Sequence, residues 1–301
     1  LQHEWSVVEN EDGIIVSTSG GLADDWTYRR YKPEDIWAFQ PLKKPAVAPG
    51  SKNPIDAFVN AKLAAAELKP ADRADFRTLI RRVTYNLTGL PPTPYQVFLF
   101  RQAWEQNSQQ AWNDLVDRLL KSQQYGERWA QHWLDVVRYA DTAGFSNDYE
   151  RSNAWRYRDY VINAFNQDKP YNQFLKEQIA GDELDHITDE TRIATGFLRA
   201  GPRVQFREKD NPERRHDYLD DVLATIGRGV LGMTIHCARC HDHKFDPILQ
   251  KDYYSLQASI FGYVEIDYPL LNRADATAYR AANTKIDEQV EPLRRQIAAM
   301  E

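Results

Sequence analysis

The residues best placed to do chemistry lie in one short run. The chain reads Thr234-Ile235-His236-Cys237-Ala238-Arg239-Cys240-His241-Asp242-His243-Lys244, and Cys237 and Cys240 are its only cysteines. Two thiols three positions apart, followed at once by an imidazole, make the C-x-x-C-H pattern by which c-type haem is attached. In that chemistry the thiols add across the porphyrin vinyl groups as thioethers, and the adjacent histidine ligates the iron. One tight turn must present both sulfurs to one edge of a flat ring while the next residue reaches its centre. The expected cofactor is one covalent haem c, with His241 as the proximal ligand.

Three other readings stay open. A thioredoxin-like dithiol wants a preceding strand and a βαβ setting, whereas the segment before Cys237 reads as a helix. Zinc held by Cys237, Cys240, His241 and His243 is possible, but structural zinc usually draws on two separated ligand pairs. Two buried cysteines placed by chance leave the histidine unexplained. With both cysteines in the motif, none remains for a disulfide framework.

The iron's second axial position has several candidates. In the stretch Gly126 to Asp141, His132, Asp135 and Tyr139 share one helical face. A carboxylate one turn from a histidine can fix its tautomer, a common device around metals. His132 is therefore the candidate distal residue, with Asp135 as its orienter; the plain alternative is a partly buried helix histidine bonded to Asp135. His243 and His236 lie too close in sequence to the thioethers to reach the opposite face easily. His216 is a further candidate, and the position can also be vacant. Arg158, in the run Ala154 to Ile162 dense in arginine and aromatics, suits a haem propionate, because a guanidinium matches a carboxylate in bidentate fashion. A solvated face with stacked rings accounts for that run equally well.

The rest of the chain must position these groups. It has 301 residues, 42% apolar and 27% charged, with a net charge of −6. That is the composition of a globular protein without the concentrated basic charge that nucleic acid requires. No apolar run is long enough to span a membrane. Leu1-Gln2-His3-Glu4 lacks the basic and apolar regions of a signal peptide. Covalent haem attachment is extracytoplasmic as a rule, so the expectation is a periplasmic protein whose signal has been removed.

Residues 1–50 read as a small β element and an extended arm. Trp5–Val8 and Gly13–Val16 flank Asn10-Glu11-Asp12-Gly13, a hairpin signal. Residues 51–265 read as a helical haem-binding domain. Asn53-Pro54 and Thr93-Pro94 are cap-then-proline starts, and Gly89 is a stop. Asn153 is expected to cap the arginine-rich helix, residues 201–216 to form a surface loop, and Tyr218 to Met233 to be helical. Gly227, Gly229 and Gly232 are expected to let the backbone approach the ring closely. Over 266–301, Ile286, Val290, Leu293, Ile297 and Met300 recur by four and three, an a/d seam. A truncated coiled-coil linker helix that meets a redox partner protein or a downstream domain is the expectation there.

Several long stretches together resemble one family. They are Trp37-Ala38-Phe39-Gln40-Pro41, Asn53 to Phe58, Asp75 to Pro92, Gly126 to Asp141, Ala154 to Asp182, and Leu231 through Tyr254. They look like the haem-motif-bearing second domain, of unknown function, of the secreted planctomycete cytochrome family. The family's motif positions fall on Cys237, Cys240 and His241, and His132, Asp135, His243 and Asp246-Pro247 also match it. In that family a cytochrome-like domain often precedes this one, and a coiled linker and another domain often follow.

The fold is thus expected to be mainly α, an irregular multi-helix domain around a covalently bound haem c with a small N-terminal β element. The expected function is electron transfer by a periplasmic c-type cytochrome domain within a larger redox assembly. One alternative is a haem-dependent oxidoreductase with an open distal site, acting on a small or carbohydrate-derived substrate. Another is a structural or interaction module stapled by haem or zinc.

Overall fold

The computed structural model describes residues 9–10, 13–17, 28–31, 38, 40–47, 53–145, 148–203, 212–264, 266, 268, 270 and 273–299. The chain divides into two compact units, Leu1–Ser259 and Ile260–Glu301. In the first, strands β1 (Glu9–Asn10), β2 (Gly13–Ser17) and β3 (Tyr28–Tyr31) pair antiparallel in sequence order, with Glu9 opposite Ile14 and Ile15 opposite Arg30. The strand expected at Trp5–Val8 lies outside the described residues. Everything else that is regular among the described residues is helical.

Helix starts and stops follow local chemistry. α1 (Pro54–Ala65) begins where the Asn53 side chain accepts the Ile55 N–H and Pro54 takes the first turn. None of α1 is buried, and Phe58 is exposed, so its apolar stripe lacks a covering surface among the described residues. α2 (Phe76–Thr88) is capped by Asp75 and ends at Gly89, whose φ of 71° suits a residue without Cβ. α3 (Pro94–Gln106) opens with a reciprocal capping box between Thr93 and Gln96. α4 (Ser108–Leu120) starts from the Asn107 side chain.

Helices α2 to α4 share one apolar core. Ile80, Phe100, Ala111, Leu115 and Leu119 are buried together, with Phe76, Val83, Leu87, Val97, Trp104 and Trp112 packed around them. Full burial of an Ile, Leu or Phe side chain there contributes about 1.5–3 kcal/mol.

A second core is aromatic and partly polar. It lies among α5 (Gln123–Val136), α6 (Trp155–Asn166), α7 (Tyr171–Ala180), α8 (Asp189–Ala194) and the 3₁₀ turn Thr195–Arg199. Trp133 meets Phe174 edge-on at 5.0 Å, and Tyr160 stacks on Phe174 at 5.9 Å. The indole N–H of Trp133 (2.8 Å) and the Tyr157 hydroxyl (2.6 Å) both donate to the Gln178 side-chain oxygen. The cap expected at Asn153 falls instead on Ala154, which supplies no side-chain bond; α6 is held by the packing of Tyr157, Tyr160, Val161 and Ala164.

Candidate haem-attachment turn

The motif sits between two helices that differ in how they end. α9 (Pro212–Ile226) runs into a π-helical turn, Gly227–Leu231, and then a 3₁₀ turn, Ile235–Arg239, which carries Cys237. α10 (Gln250–Ile260) follows the loop. The helix thus starts at Pro212, six residues before the expected Tyr218, and Arg215 is buried, which corrects the surface-loop expectation for the end of 201–216. The run Glu213-Arg214-Arg215-His216-Asp217 is too polar for hydrophobic period to betray a helix, but proline at its first turn is compatible with one.

The glycines serve packing within the protein. A Cβ on Gly227 would stand 2.6 Å from Ile235 Cγ1, and one on Gly229 would stand 2.7 Å from Val136 Cγ1. The π turn therefore presses on the motif turn and on the end of α5. Of these three glycines Gly232, at φ 66°, is the one that opens onto free space. The close approach expected toward a ring is, at the first two positions, an approach to Ile235 and Val136.

Both thiols are free, with Cys237 half-buried and Cys240 exposed. His241 is exposed, and its Nδ1 lies 2.7 Å from the Asp242 carbonyl oxygen. A carbonyl only accepts, so Nδ1 carries the proton and the lone pair is on Nε2, the tautomer a metal ligand needs.

His243 is the opposite case. It is 3% exposed, and its Nδ1 accepts the backbone N–H groups of Phe245 (3.2 Å) and Asp246 (2.9 Å). Its Nε2 therefore carries the proton and donates to Thr234 Oγ1 at 2.9 Å. Burial, the larger influence, holds the imidazole below its ordinary pKa against the pull of Asp246. With both nitrogens committed, His243 clamps the loop and has no lone pair for a metal.

A polar network fixes the turn. Arg239, between the cysteines, donates to Asp217 (2.7 Å) and Asp220 (3.2 Å) on α9. Asp220 also accepts the hydroxyl of Tyr253, a residue 1% exposed, at 2.6 Å. Burial and then this carboxylate push the Tyr253 phenol upward. The Arg239 carbonyl accepts from the Gln250 side chain (3.0 Å) and the Tyr254 hydroxyl (3.1 Å). Buried Asp242 accepts the Gln250 N–H at 2.7 Å, and the His243 N–H reaches the Ile248 carbonyl at 2.8 Å. Sequence reasoning missed these residues; the signals it passed over were the i, i+3 acids Asp217 and Asp220 and the single arginine inside C-x-x-C.

The donor set fits a porphyrin, which brings four nitrogen ligands of its own and asks the chain for two thiols and one imidazole. Leu231, Phe245 and Tyr254 stand exposed along the same segment, apolar surface of the kind a ring would cover. Among the described residues no three Cys, His, Asp or Glu side chains are arranged to hold a bare ion, and both ring nitrogens of His243 are engaged. The model of a protein family described as PSCyt2, protein of unknown function (DUF1549), matches residues 54–265, more than half of the chain. The chain belongs to the PSCyt2 family. No curated protein and no solved structure matches it.

The remaining predicted residues of this PSCyt2 domain lie elsewhere. His132 is exposed on α5, edge-on to Trp129 at 5.4 Å, and Asp135 is exposed too. Among the described residues no hydrogen bond joins them. α5 meets the motif region at its end: Val136 faces Gly229, and Arg138 pairs with Asp221 of α9. Arg158 pairs with its neighbour Asp159 at 3.1 Å and is half-exposed. His216 Nδ1 lies 3.2 Å from the Gln257 side-chain oxygen.

Proposed function

We propose that this PSCyt2 domain is a periplasmic c-type cytochrome domain carrying one covalent haem on Cys237 and Cys240, and that it passes electrons within a larger redox assembly. The observation that carries the reading is the His241 tautomer: Nδ1–H is held by the Asp242 carbonyl at 2.7 Å, which leaves the Nε2 lone pair as the one that would ligate the iron. When bound, the iron supplies a one-electron couple. The chain's own part is to hold the turn still. Arg239, His243, Gln250 and Tyr254 anchor it on both sides, so little rearrangement is required of the protein when charge at the ring changes. Among the described histidines, His243 has both nitrogens engaged, His236 Nδ1 is enclosed and His216 Nδ1 lies against Gln257, while His132 and His186 make no hydrogen bond. His132, on the helix that meets the motif region at its end, is the distal candidate to test, with Asp135 beside it and Arg158 as the candidate propionate partner. The electron donor and acceptor are a partner protein or a further domain.

Expression beside a haem-attachment system tests this. The expected product has one haem by mass, retained after denaturation and lost in the Cys237→Ala, Cys240→Ala double variant. His241→Ala should keep the mass and change the iron's spectrum. A product without haem, from cells that load a control cytochrome, sinks the reading. An unchanged spectrum in His132→Ala removes His132 from the iron.

A further inference from the structure

We propose that helix α11 (Arg273–Ala298) joins two copies of this chain in a parallel, in-register, two-stranded coiled coil. The proposal is independent of haem. Its starting point is an apolar row left in water: Tyr279 is 50% exposed, Ile286 54%, Leu293 55% and Ile297 59%. Steps of four and three place Tyr279, Ile286 and Leu293 at d, and Ala276, Asn283, Val290 and Ile297 at a.

Asn283 identifies the occupant. It sits inside the seam, where a lone asparagine costs stability and selects register and strand number. In a parallel in-register pair the two Asn283 amides meet and bond each other. In an antiparallel pair each would face an aliphatic d residue and lose its hydrogen bonds. A different protein or domain would need an asparagine or its equivalent at that one layer; a second copy supplies it by symmetry.

The flanking residues favour the same choice. Positions e are Arg280, Asp287 and Arg294, and positions g are Asp275, Ala282, Gln289 and Gln296. A parallel pair sets each g against the e five residues on, so Ala282 meets Asp287 and Gln289 meets Arg294, with no like charges. An antiparallel pair centred on this stretch sets Asp287 against Asp287 and Arg280 against Arg294. Val290 and Ile297 at a, with Leu293 at d, suit two strands; Ile286 at d departs from that rule beside the asparagine that enforces it. Pro292 lies within the helix at an outer c position, and Glu288, whose carbonyl loses its N–H partner there, is at f. Both stay off the seam itself, and the two strands must share whatever bend Pro292 imposes between Val290 and Leu293.

Sedimentation of the full chain tests this. A reversible monomer–dimer equilibrium is expected, with Ile286→Arg plus Leu293→Arg giving a monomer whose circular dichroism outside this helix is unchanged. Asn283→Leu should admit larger species. Gln289→Glu should tighten the dimer roughly five-fold and Gln289→Lys weaken it by a similar factor, through two symmetric pairs with Arg294. These surface changes leave the fold intact, so the test survives a misfolded core variant. A monomer at high micromolar concentration overturns the proposal, as does a trimer, a dimer that tolerates both arginines, or one indifferent to position 289. A haem-loaded monomer overturns it alone and leaves the proposed cytochrome function standing.

Discussion

Lys169 and Arg239 are each held by two carboxylates, and in each case one carboxylate also takes a tyrosine hydroxyl. Lys169 donates to Glu177 (2.6 Å) and Glu190 (2.8 Å), and Tyr160 donates to Glu177 at 2.8 Å. Arg239 donates to Asp217 and Asp220, and Tyr253 donates to Asp220 at 2.6 Å. Burial separates them. The Lys169 and Glu177 side chains are 8% and 5% exposed, whereas Arg239 is 35% exposed and Asp217 60%. The first network locks α6, α7 and α8 together and touches none of the predicted site residues. The second ties a turn bearing free thiols to two helices. One chemistry thus does two jobs: buried, it holds the scaffold; at the rim, it sets the position of a reactive segment.

The largest effect that would break this comparison belongs to the scaffold network. Glu177→Ala removes the partner of a buried cation and orphans the Tyr160 hydroxyl; Glu190 keeps Lys169 partly paired. A loss of about 3 kcal/mol is expected, read as a lowered midpoint in urea. A loss below about 1 kcal/mol would show the pair to be an onlooker.

Acid sharpens the same point. Burial works against charge on both partners, but the hydrogen bonds of Lys169, Gln173 and Tyr160 hold Glu177 below its ordinary 4.5, and Glu177 and Glu190 hold Lys169 above 10.5. A depressed carboxyl contributes stability that is present above pH 4.5 and lost as pH falls through its folded value. A raised lysine contributes stability that is present below pH 10.5 and lost as pH rises through its folded value. The melting difference between the wild type and Glu177→Gln should therefore be widest between those limits and shrink in acid.

These two networks also mark where sequence reading stops. The capped starts at Asn53 and Thr93 and the stop at Gly89 are all local signals, and the structure has them. The pattern of Cys237, Cys240 and His241 is local as well. Arg239 to Asp217 spans 22 residues and Tyr253 to Asp220 spans 33, and no short-range periodicity encodes such pairs. The start of α9 at Pro212 escaped for a related reason: its polar opening carries His216 and Asp217, whose partners Gln257 and Arg239 are distant in sequence. The His132–Asp135 pair shows the converse failure. Their spacing permits a bond on one helical face, but both side chains face solvent, where water competes for every hydrogen bond.

Next in size is Asp220→Ala. It strips an acceptor from Tyr253, which is 1% exposed, and half of the anchorage from Arg239. About 1–3 kcal/mol should be lost, with amide exchange accelerated first at Ile235–Arg239 and around Tyr253. Uniform acceleration across the first unit would mean that Asp220 is scaffold, like Glu177, and the contrast between the two networks would fail.

Asp217→Asn should be the smallest. The residue is 60% exposed at its side chain, so its pair with Arg239 at 2.7 Å is screened by water and salt and contributes under about 1 kcal/mol. Asparagine keeps an acceptor for the guanidinium while removing the charge. Global stability should barely move. What should move is the field at the turn: with Asp217 neutral, the Arg239 charge is balanced by Asp220 alone. In the haem-free protein cationic surroundings make a cysteine more reactive, so Cys237 and Cys240 should react faster there with an alkylating reagent in Asp217→Asn than in the wild type. Slower or equal alkylation would show that this carboxylate neither screens Arg239 nor tunes the thiols, and the rim network would then be positional only.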